Sequence, residues 1–374
     1  MIYFDNAATT KYKPEEVYQA FEYYIREIGV SPGRGSYQLG IEASRMLFKV
    51  RKVVGEYFGL EKKSNVVFTK NSTEAINLFF NGMLCKGDHV VITCYEHNAV
   101  LRPLQHLQDM GLISYSIINR NDLLLPTEEI YNKYCLENTK IFAMTLASNL
   151  TGRIVYDKKL MLYIQQKGII TFLDASQGAG KVRINMKEDG IDYLAFTGHK
   201  DLLALTGVGG LCCKEKNIIK PLIQGGTGIW GDSYTNPDVF PEGLEAGTLN
   251  MPAIWSLKTS LEYIENHYTE IQEKDRILTS YLMDSLSKMK TIEIYDSECK
   301  RVGVVGFNIH NYQSNKVVEL LDENEICVRG GIHCAILAHE ALGTKEIGVI
   351  RVSLSYLNSI DEIDQMINIL EKSG

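Results

Sequence analysis

Between about Ser64 and Cys213 short apolar runs alternate with longer stretches whose apolar positions recur at helical spacing. Asn65-Val66-Val67-Phe68-Thr69 leads into Ser72-Thr73-Glu74-Ala75-Ile76-Asn77-Leu78, where hydroxyl residues stand just before an apolar helical stretch. Such residues satisfy the first N–H groups of a helix, so the segment predicts a strand followed by a capped helix. Similar runs follow at His89-Val90-Val91-Ile92, Ile141-Phe142-Ala143-Met144, Ile169-Ile170-Thr171-Phe172-Leu173 and Tyr193-Leu194-Ala195-Phe196. Most lack the polar alternation of a sheet wetted on one side, which predicts an α/β fold with a mainly parallel sheet covered by helices on both faces.

After Gly225-Gly226-Thr227-Gly228 a passage rich in Gly, Pro and Asn continues to Pro252, and Ala253 to about Met289 then has helical spacing. The remainder is strand-like at Val302 to Ile309 and helical at Lys316 to Asp322 and Ile360 to Glu371. This predicts a large domain over residues 15–255 and a smaller α+β domain built from 1–14 and 256–374. No fixed-period repeat or low-complexity segment interrupts either.

A length of 374 residues suits two or three domains. Hydrophobic residues at 45% and charged residues at 23% are ordinary for a globular protein and exclude a disordered, collagenous or coiled-coil chain. The net charge of −7 argues against a nucleic-acid or anionic-membrane partner and leaves a small molecule as the expected one. The start, Met1-Ile2-Tyr3-Phe4-Asp5, has neither the basic opening nor the apolar run of a signal peptide, and no stretch has the length of a membrane span. A cytoplasmic protein is expected. None of the eight cysteines forms a C-x-x-C pair, so reduced thiols are expected too.

The most informative segment is Asp192-Tyr193-Leu194-Ala195-Phe196-Thr197-Gly198-His199-Lys200, a strand that ends in a hydroxyl, a glycine, a histidine and a lysine. Open α/β sheets bind ligands beyond the carboxyl ends of their strands. A lysine desolvated there, near other cations, can become neutral enough to bond an aldehyde cofactor. A lone lysine is more often a surface residue. Here Asp174 ends another apolar strand, in Phe172-Leu173-Asp174-Ala175-Ser176-Gln177, and a buried carboxylate is what keeps a pyridine nitrogen protonated. Asn71-Ser72-Thr73 offers a helix start that could hold a phosphate or form a plain capping box. In Glu96-His97-Asn98-Ala99, His97 could stack on a cofactor ring or be structural.

With these segments the chain resembles a fold-type I pyridoxal-phosphate enzyme of the class V aminotransferase family, and within it the cysteine desulfurases. The motifs carrying the resemblance run in order from Asp5-Asn6-Ala7-Ala8-Thr9-Thr10, through Asn71-Ser72-Thr73-Glu74-Ala75, Glu96-His97-Asn98-Ala99, Ser148-Asn149-Leu150-Thr151-Gly152, Asp174-Ala175-Ser176-Gln177 and Thr197-Gly198-His199-Lys200. They end with Glu245-Ala246-Gly247-Thr248 and Arg329-Gly330-Gly331-Ile332-His333-Cys334-Ala335. The last is similar to the Arg-x-Gly-x-His-Cys-Ala signature of one desulfurase group.

The resemblance implies pyridoxal 5'-phosphate bonded to Lys200, with Asp174 on the pyridine nitrogen, His97 stacked on the ring, and Asn149 and Gln177 at its phenolic oxygen. It assigns Ser72, Thr73, Thr197 and His199 to the phosphate, joined by Thr248 from the second subunit of a homodimer. Arg351, assisted by Asn149, would bind the substrate carboxylate. Lys200, Cys334 and His97 would carry the catalysis, taking sulfur from L-cysteine to leave L-alanine and a persulfide on Cys334. A protein or small thiol would then accept the sulfur.

Cys334 stands in a Gly-rich stretch beside Arg329 and His333, an electropositive and mobile kind of setting that favours thiolate. For Cys85, Cys212 and Cys213, inside apolar runs, burial is expected instead. The chain departs from the family around Arg34-Gly35, where a neighbouring histidine is common, and at Asn71-Ser72, where many members have Gly-Thr. These differences bear on substrate preference. Selenocysteine lyase and cysteine sulfinate desulfinase are the nearest alternatives, and an aminotransferase of the same family would not need Cys334. A metal-dependent hydrolase using His333, Cys334 and His339 or the Cys212-Cys213 pair lacks persuasive ligand spacing, so no metal is expected. A non-catalytic scaffold would not need Lys200, Asp174 and Cys334 together. Gly207-Val208-Gly209-Gly210 continues to Cys212 where a dinucleotide fingerprint needs its third glycine.

Overall fold

The computed structural model describes residues 1–33, 35, 37–215 and 219–373, so Arg34 of the Arg34-Gly35 pair lies outside the described residues. Its strands in chain order are β1 (Ile2–Tyr3), β2 (Val66–Thr69), β3 (Asp88–Thr93), β4 (Ile113–Ile118), β5 (Thr139–Thr145), β6 (Ile170–Asp174), β7 (Tyr193–Thr197) and β8 (Gly209–Cys213). After them come β9 (Ile292–Ile294), β10 (Val304–Ile309), β11 (Ile326–Cys327), β12 (Arg329–Gly331) and β13 (Val349–Ser353). The helices are α1 (Glu15–Tyr23), α2 (Gln38–Tyr57), α3 (Ser72–Met83), α4 (Asn98–Asp109), α5 (Thr127–Tyr134), α6 (Lys158–Gln166), α7 (Met186–Asp189), α8 (Met251–Ser287), α9 (Ser314–Glu323), α10 (Ile336–Leu342) and α11 (Ile360–Ser373).

Among the described residues seven strands form one sheet in the order β2-β8-β7-β6-β5-β3-β4, parallel except where β8 runs against β7 and β2. Successive residues of each strand feed two separate cores. Phe142, Met144, Leu173, Leu194 and Phe196 pack with α2, α6 and α8 on one face. Ile141, Ala143, Phe172, Tyr193 and Ala195 pack with α3 and α4 on the other. Both faces are thus dry, which is why the strands read as unbroken apolar runs.

A second sheet, β12-β13-β10-β9, encloses its own core with α8, α9 and α11, and β1 pairs in parallel with β11 beside it. Helix α8 belongs to both units: residues up to Ile271 pack in the large core, and Leu278, Leu282 and Leu286 pack in the small one. Residue 255, where the sequence places the change of unit, lies inside this helix, which kinks at His267. No helix among the described residues is long and apolar enough to cross a membrane.

The thiols divide differently from the expectation. Cys212 and Cys213 are buried in β8, but Cys85 is exposed, because it sits in the turn between α3 and β3 rather than inside either. Its backbone N–H donates to the Asp88 carboxylate, which fixes that turn.

Candidate functional site

Parallel pairing brings the carboxyl ends of the central strands together: Asp174 at the end of β6 lies opposite Thr145 of β5 and Ala195 of β7. Thr197 ends β7, the loops that leave these ends carry Asn149, Gln177, His199 and Lys200, and His97 follows β3 as the N-cap of α4. One rim of the sheet therefore gathers residues spread over a hundred positions of sequence.

Lys200 is held below the ordinary lysine range, first by burial and then by Arg351 and Arg329, with Asp174 and Asp201 opposing. A neutral amine is the form able to bond a carbonyl or take a proton. Burial also raises Asp174 above the usual carboxylate range, while bonds from the Ser176 hydroxyl and N–H, and the charge of Lys200, favour its ionised form. His97 is lowered to about 4 by burial, then by Lys200, Arg102, Arg351 and Arg329. Its Nδ1 accepts the Ala99 N–H, which places the ring proton on Nε2.

Several polar atoms here are buried with no protein partner: Gln177 Oε1, Thr197 Oγ1 and His199 Nδ1. Buried polar groups are rarely left unbonded, so the three atoms call for a polar ligand. His199 is lowered to about 4 by burial and by Lys200 and Lys13, which leaves it a neutral donor or acceptor. At the start of α3, the Asn71 side chain accepts the Glu74 N–H, and the Glu74 carboxylate accepts the Lys70 N–H. That is a capping arrangement, and it leaves the Ser72 and Thr73 amides among the first N–H groups of the helix, which have no intrahelical partner.

Arg351 in β13 is buried, donating to the Asn149 carbonyl at 3.0 Å and to the Asp5 carboxylate. Its Nε has no partner, so the guanidinium retains donors for another carboxylate. The Cys334 segment is tied to the same residues. The His333 carbonyl accepts from Asn149 Nδ2 at 2.7 Å, and the Cys334 carbonyl accepts the Asn98 N–H at 2.8 Å. His333 Nε2 donates to the Val349 carbonyl at 2.8 Å. Both His333 and Cys334 adopt the left-handed backbone, with φ of 52° and 56°. A non-glycine residue in that region costs on the order of 1–3 kcal/mol unless its surroundings hold it there. Cys334 is exposed, on a segment tied down through two backbone carbonyls and the His333 ring.

Thr248 is the predicted residue not gathered at this rim. It is exposed in the loop before α8 and borders a cavity of about 300 Å³ with Lys70, Glu74, Gly207 and Leu222. Three acidic residues take part that the sequence reading did not single out. Asp5 neutralises Arg351. Glu96, fully buried beside His97, accepts from the Thr93 hydroxyl and the Thr145 N–H, and burial raises it to about 8. Asp201, directly after Lys200, accepts from Gln177 Nε2. Their signal was adjacency to Lys200, His97 and the first motif. The N-terminal segment adds a further tie, since the Thr10 hydroxyl donates to the Lys200 carbonyl at 2.8 Å. Among the described residues no group of three or more His, Cys, Asp or Glu could hold a metal ion.

A family model described as aminotransferase class-V matches residues 2–366. A protein of Methanothermobacter thermautotrophicus described as a probable cysteine desulfurase is 32% identical over 380 residues, covering 99% of this chain and 94% of that one. A probable cysteine desulfurase of Pyrococcus abyssi is 31% identical over 386 residues, covering 100% and 94%. The apo structure of a cysteine desulfurase from Thermococcus onnurineus NA1 superposes with a TM-score of 0.90 at 30% identity, covering 100% of this chain and 94% of that one.

Proposed function

Because the chain belongs to the aminotransferase class-V family, we propose that it is a pyridoxal-phosphate-dependent cysteine desulfurase, converting L-cysteine to L-alanine and carrying the sulfur on Cys334 as a persulfide. The observation that carries this reading is the anchoring of the Cys334 segment to Asn149 and Asn98, which attaches an exposed thiol to the rim that holds Lys200, His97 and Arg351.

The residues fit the cofactor. Lys200 would hold its aldehyde carbon and Asp174 its pyridine nitrogen, while His97 stacks on the ring. Gln177 and Asn149 would meet the phenolic oxygen. Thr197, His199 and the α3 start with Ser72 and Thr73 would hold the phosphate. Thr248, exposed in its own chain, would reach the phosphate of a second copy, making a homodimer with shared sites. When bound, pyridoxal phosphate supplies an electron sink for the charge left at the substrate Cα.

The chain's own residues do the rest. Arg351 orients the substrate carboxylate through its remaining donors, its charge otherwise balanced by Asp5. Lys200, kept toward the neutral form, takes the Cα proton. The thiolate of Cys334 attacks the substrate sulfur, so the S–S bond forms as the C–S bond breaks and the electron pair returns to the substrate carbon. Lys200 or His97 Nε2–H then reprotonates the product. A thiol in the surrounding cytoplasm, on a protein or a small molecule, later takes the terminal sulfur by exchange.

The test compares wild type and Cys334→Ala on L-cysteine, L-selenocysteine and L-cysteine sulfinate, measuring alanine and the released sulfur or selenium. Alanine formation from cysteine should collapse in the variant while substrate-induced spectral changes persist, and mass spectrometry should find one added sulfur on the wild-type Cys334 peptide. Wild-type rates in Cys334→Ala on cysteine would overturn the persulfide step. Turnover of selenocysteine or sulfinate alone would give the chain to the corresponding alternative.

A further inference from the structure

Beneath the Lys200 rim lies a charged cluster that the proposed chemistry does not use. Lys181, its side chain 8% exposed, places Nζ 2.7 Å from Asp275 Oδ1 on α8, 3.3 Å from Asp201 Oδ1 and 3.1 Å from the Leu354 carbonyl just past β13. The other carboxylate oxygen of Asp201 accepts Gln177 Nε2 at 3.2 Å and the Gly178 N–H at 2.8 Å. Gly303 closes the remaining side, where any Cβ would press on the Asp275 carboxylate and come within 3.0 Å of Lys181 Nζ. Two aspartates against one lysine give the cluster a surplus negative charge, and Asp201 carries it directly behind Lys200.

We infer that Lys181, Asp201 and Asp275 form a buried triad of positioning residues that holds the Gln177 amide in one orientation and sets the proton affinity of the Lys200 nitrogen. The inference rests on Lys200 being the cofactor-bonding lysine. The orientation follows from donor chemistry: a carboxylate can face the Gln177 NH₂ but not its carbonyl, so Asp201 fixes which end of the amide turns away from it. The proton affinity follows from the charges around Lys200. Arg351 on β13 and Arg329 on β12 disfavour a proton there, while Asp174 at the end of β6 and Asp201 favour one. His97 at the start of α4 and His199 beside Lys200 are neutral near pH 7, and Lys13 Nζ donates to the His199 carbonyl at 3.3 Å. With two cations set against Asp174, the triad supplies the balancing negative charge. Lys181 limits that charge, and its hold on α8 and the Leu354 carbonyl ties the setting to the packing of both domains.

The test is a spectrophotometric pH titration of the visible band of the holoenzyme, which reports protonation of the nitrogen joining Lys200 to its cofactor. Asp201→Asn removes the nearer negative charge and should lower the midpoint by about one pH unit, and Asp275→Asn, which leaves Lys181 to neutralise Asp201, should lower it by about half as much. Thermal midpoints are measured alongside, since a purely structural triad would move those alone. Midpoints in both variants within about 0.2 unit of wild type would overturn the inference, as would shifts upward. Because Asp275→Asn touches neither Gln177 nor Lys200, it keeps the test open if Asp201→Asn folds poorly. A wild-type preparation with no visible band would instead remove Lys200 as the cofactor lysine, and the inference with it.

Discussion

Lys181 and Lys200 both lie away from water, yet their surroundings push the two ammonium groups in opposite directions. Burial lowers both, as loss of water always disfavours the charged form. At Lys181, Asp201 and Asp275 outweigh that cost and raise the group above the ordinary lysine range. At Lys200, Arg351 and Arg329 add to burial, and Asp174 and Asp201 only partly offset them. Asp201 touches both neighbourhoods, so the contrast is set by the signs of the remaining partners and not by depth. A lysine whose charge is favoured on every side is a strut; a lysine whose charged form is disfavoured is the better reagent.

The largest test of that contrast exchanges the two outcomes. Lys200→Ala should lower alanine formation from cysteine by roughly 10³-fold or more while leaving the fold intact. Assay beside a circular dichroism melt checks both halves, and an unchanged rate would end the assignment. Lys181→Met should behave in the opposite sense, keeping its cofactor linkage in the folded fraction but losing about 3–5 kcal/mol of stability, because it strands two buried carboxylates. Urea denaturation measures this, and a loss below about 1 kcal/mol would show the cluster to be no strut.

A smaller effect sharpens the Lys200 side alone. The arginines of that neighbourhood also reach His333, which burial and Arg351 lower to about 3. The folded state therefore binds this proton later than the unfolded chain does, so stability is full above about pH 6.5 and falls as pH drops toward 3, by about 1.4 kcal/mol per pH unit. His333→Gln, which keeps a donor for the Val349 carbonyl, should flatten the acid limb of stability against pH by about one proton. An acid limb as steep as wild type would contradict the assigned neutrality. The smallest effect falls on Asp174, which opposes the arginines at Lys200: Ser176→Ala removes one bond to its carboxylate, worth about 1 kcal/mol, and should speed cofactor loss on dialysis about fivefold.

The sequence carried the elements well where a single periodicity ruled. β5, β6 and β7 were visible as apolar runs because both of their faces are buried, and the start of α3 was visible in Asn71-Ser72-Thr73-Glu74 because capping is a local transaction between a side chain and nearby amides. The antiparallel β8 was not, since Gly209-Gly210-Leu211-Cys212-Cys213 looks the same in either direction and strand polarity depends on the neighbour it meets. Cys85 is exposed for a related reason: apolar neighbours in sequence do not bury a residue that falls in a turn.

For the site, residue chemistry and position at strand ends drew Lys200 and Asp174 out of the sequence, while His97 stayed open between a stacking and a structural role, and its assignment, with that of Cys334, came from the resemblance to the family. Only the tertiary structure decided what surrounds them. It set Asp5 against Arg351, placed the Cys334 backbone in the left-handed region on bonds from Asn149 and Asn98, and put Lys181 between Asp201 and Asp275. Local preference acts over a few residues and is written in sequence. The charge state of a buried group depends on every charge within several ångströms, and those charges come from segments that only the completed fold brings together.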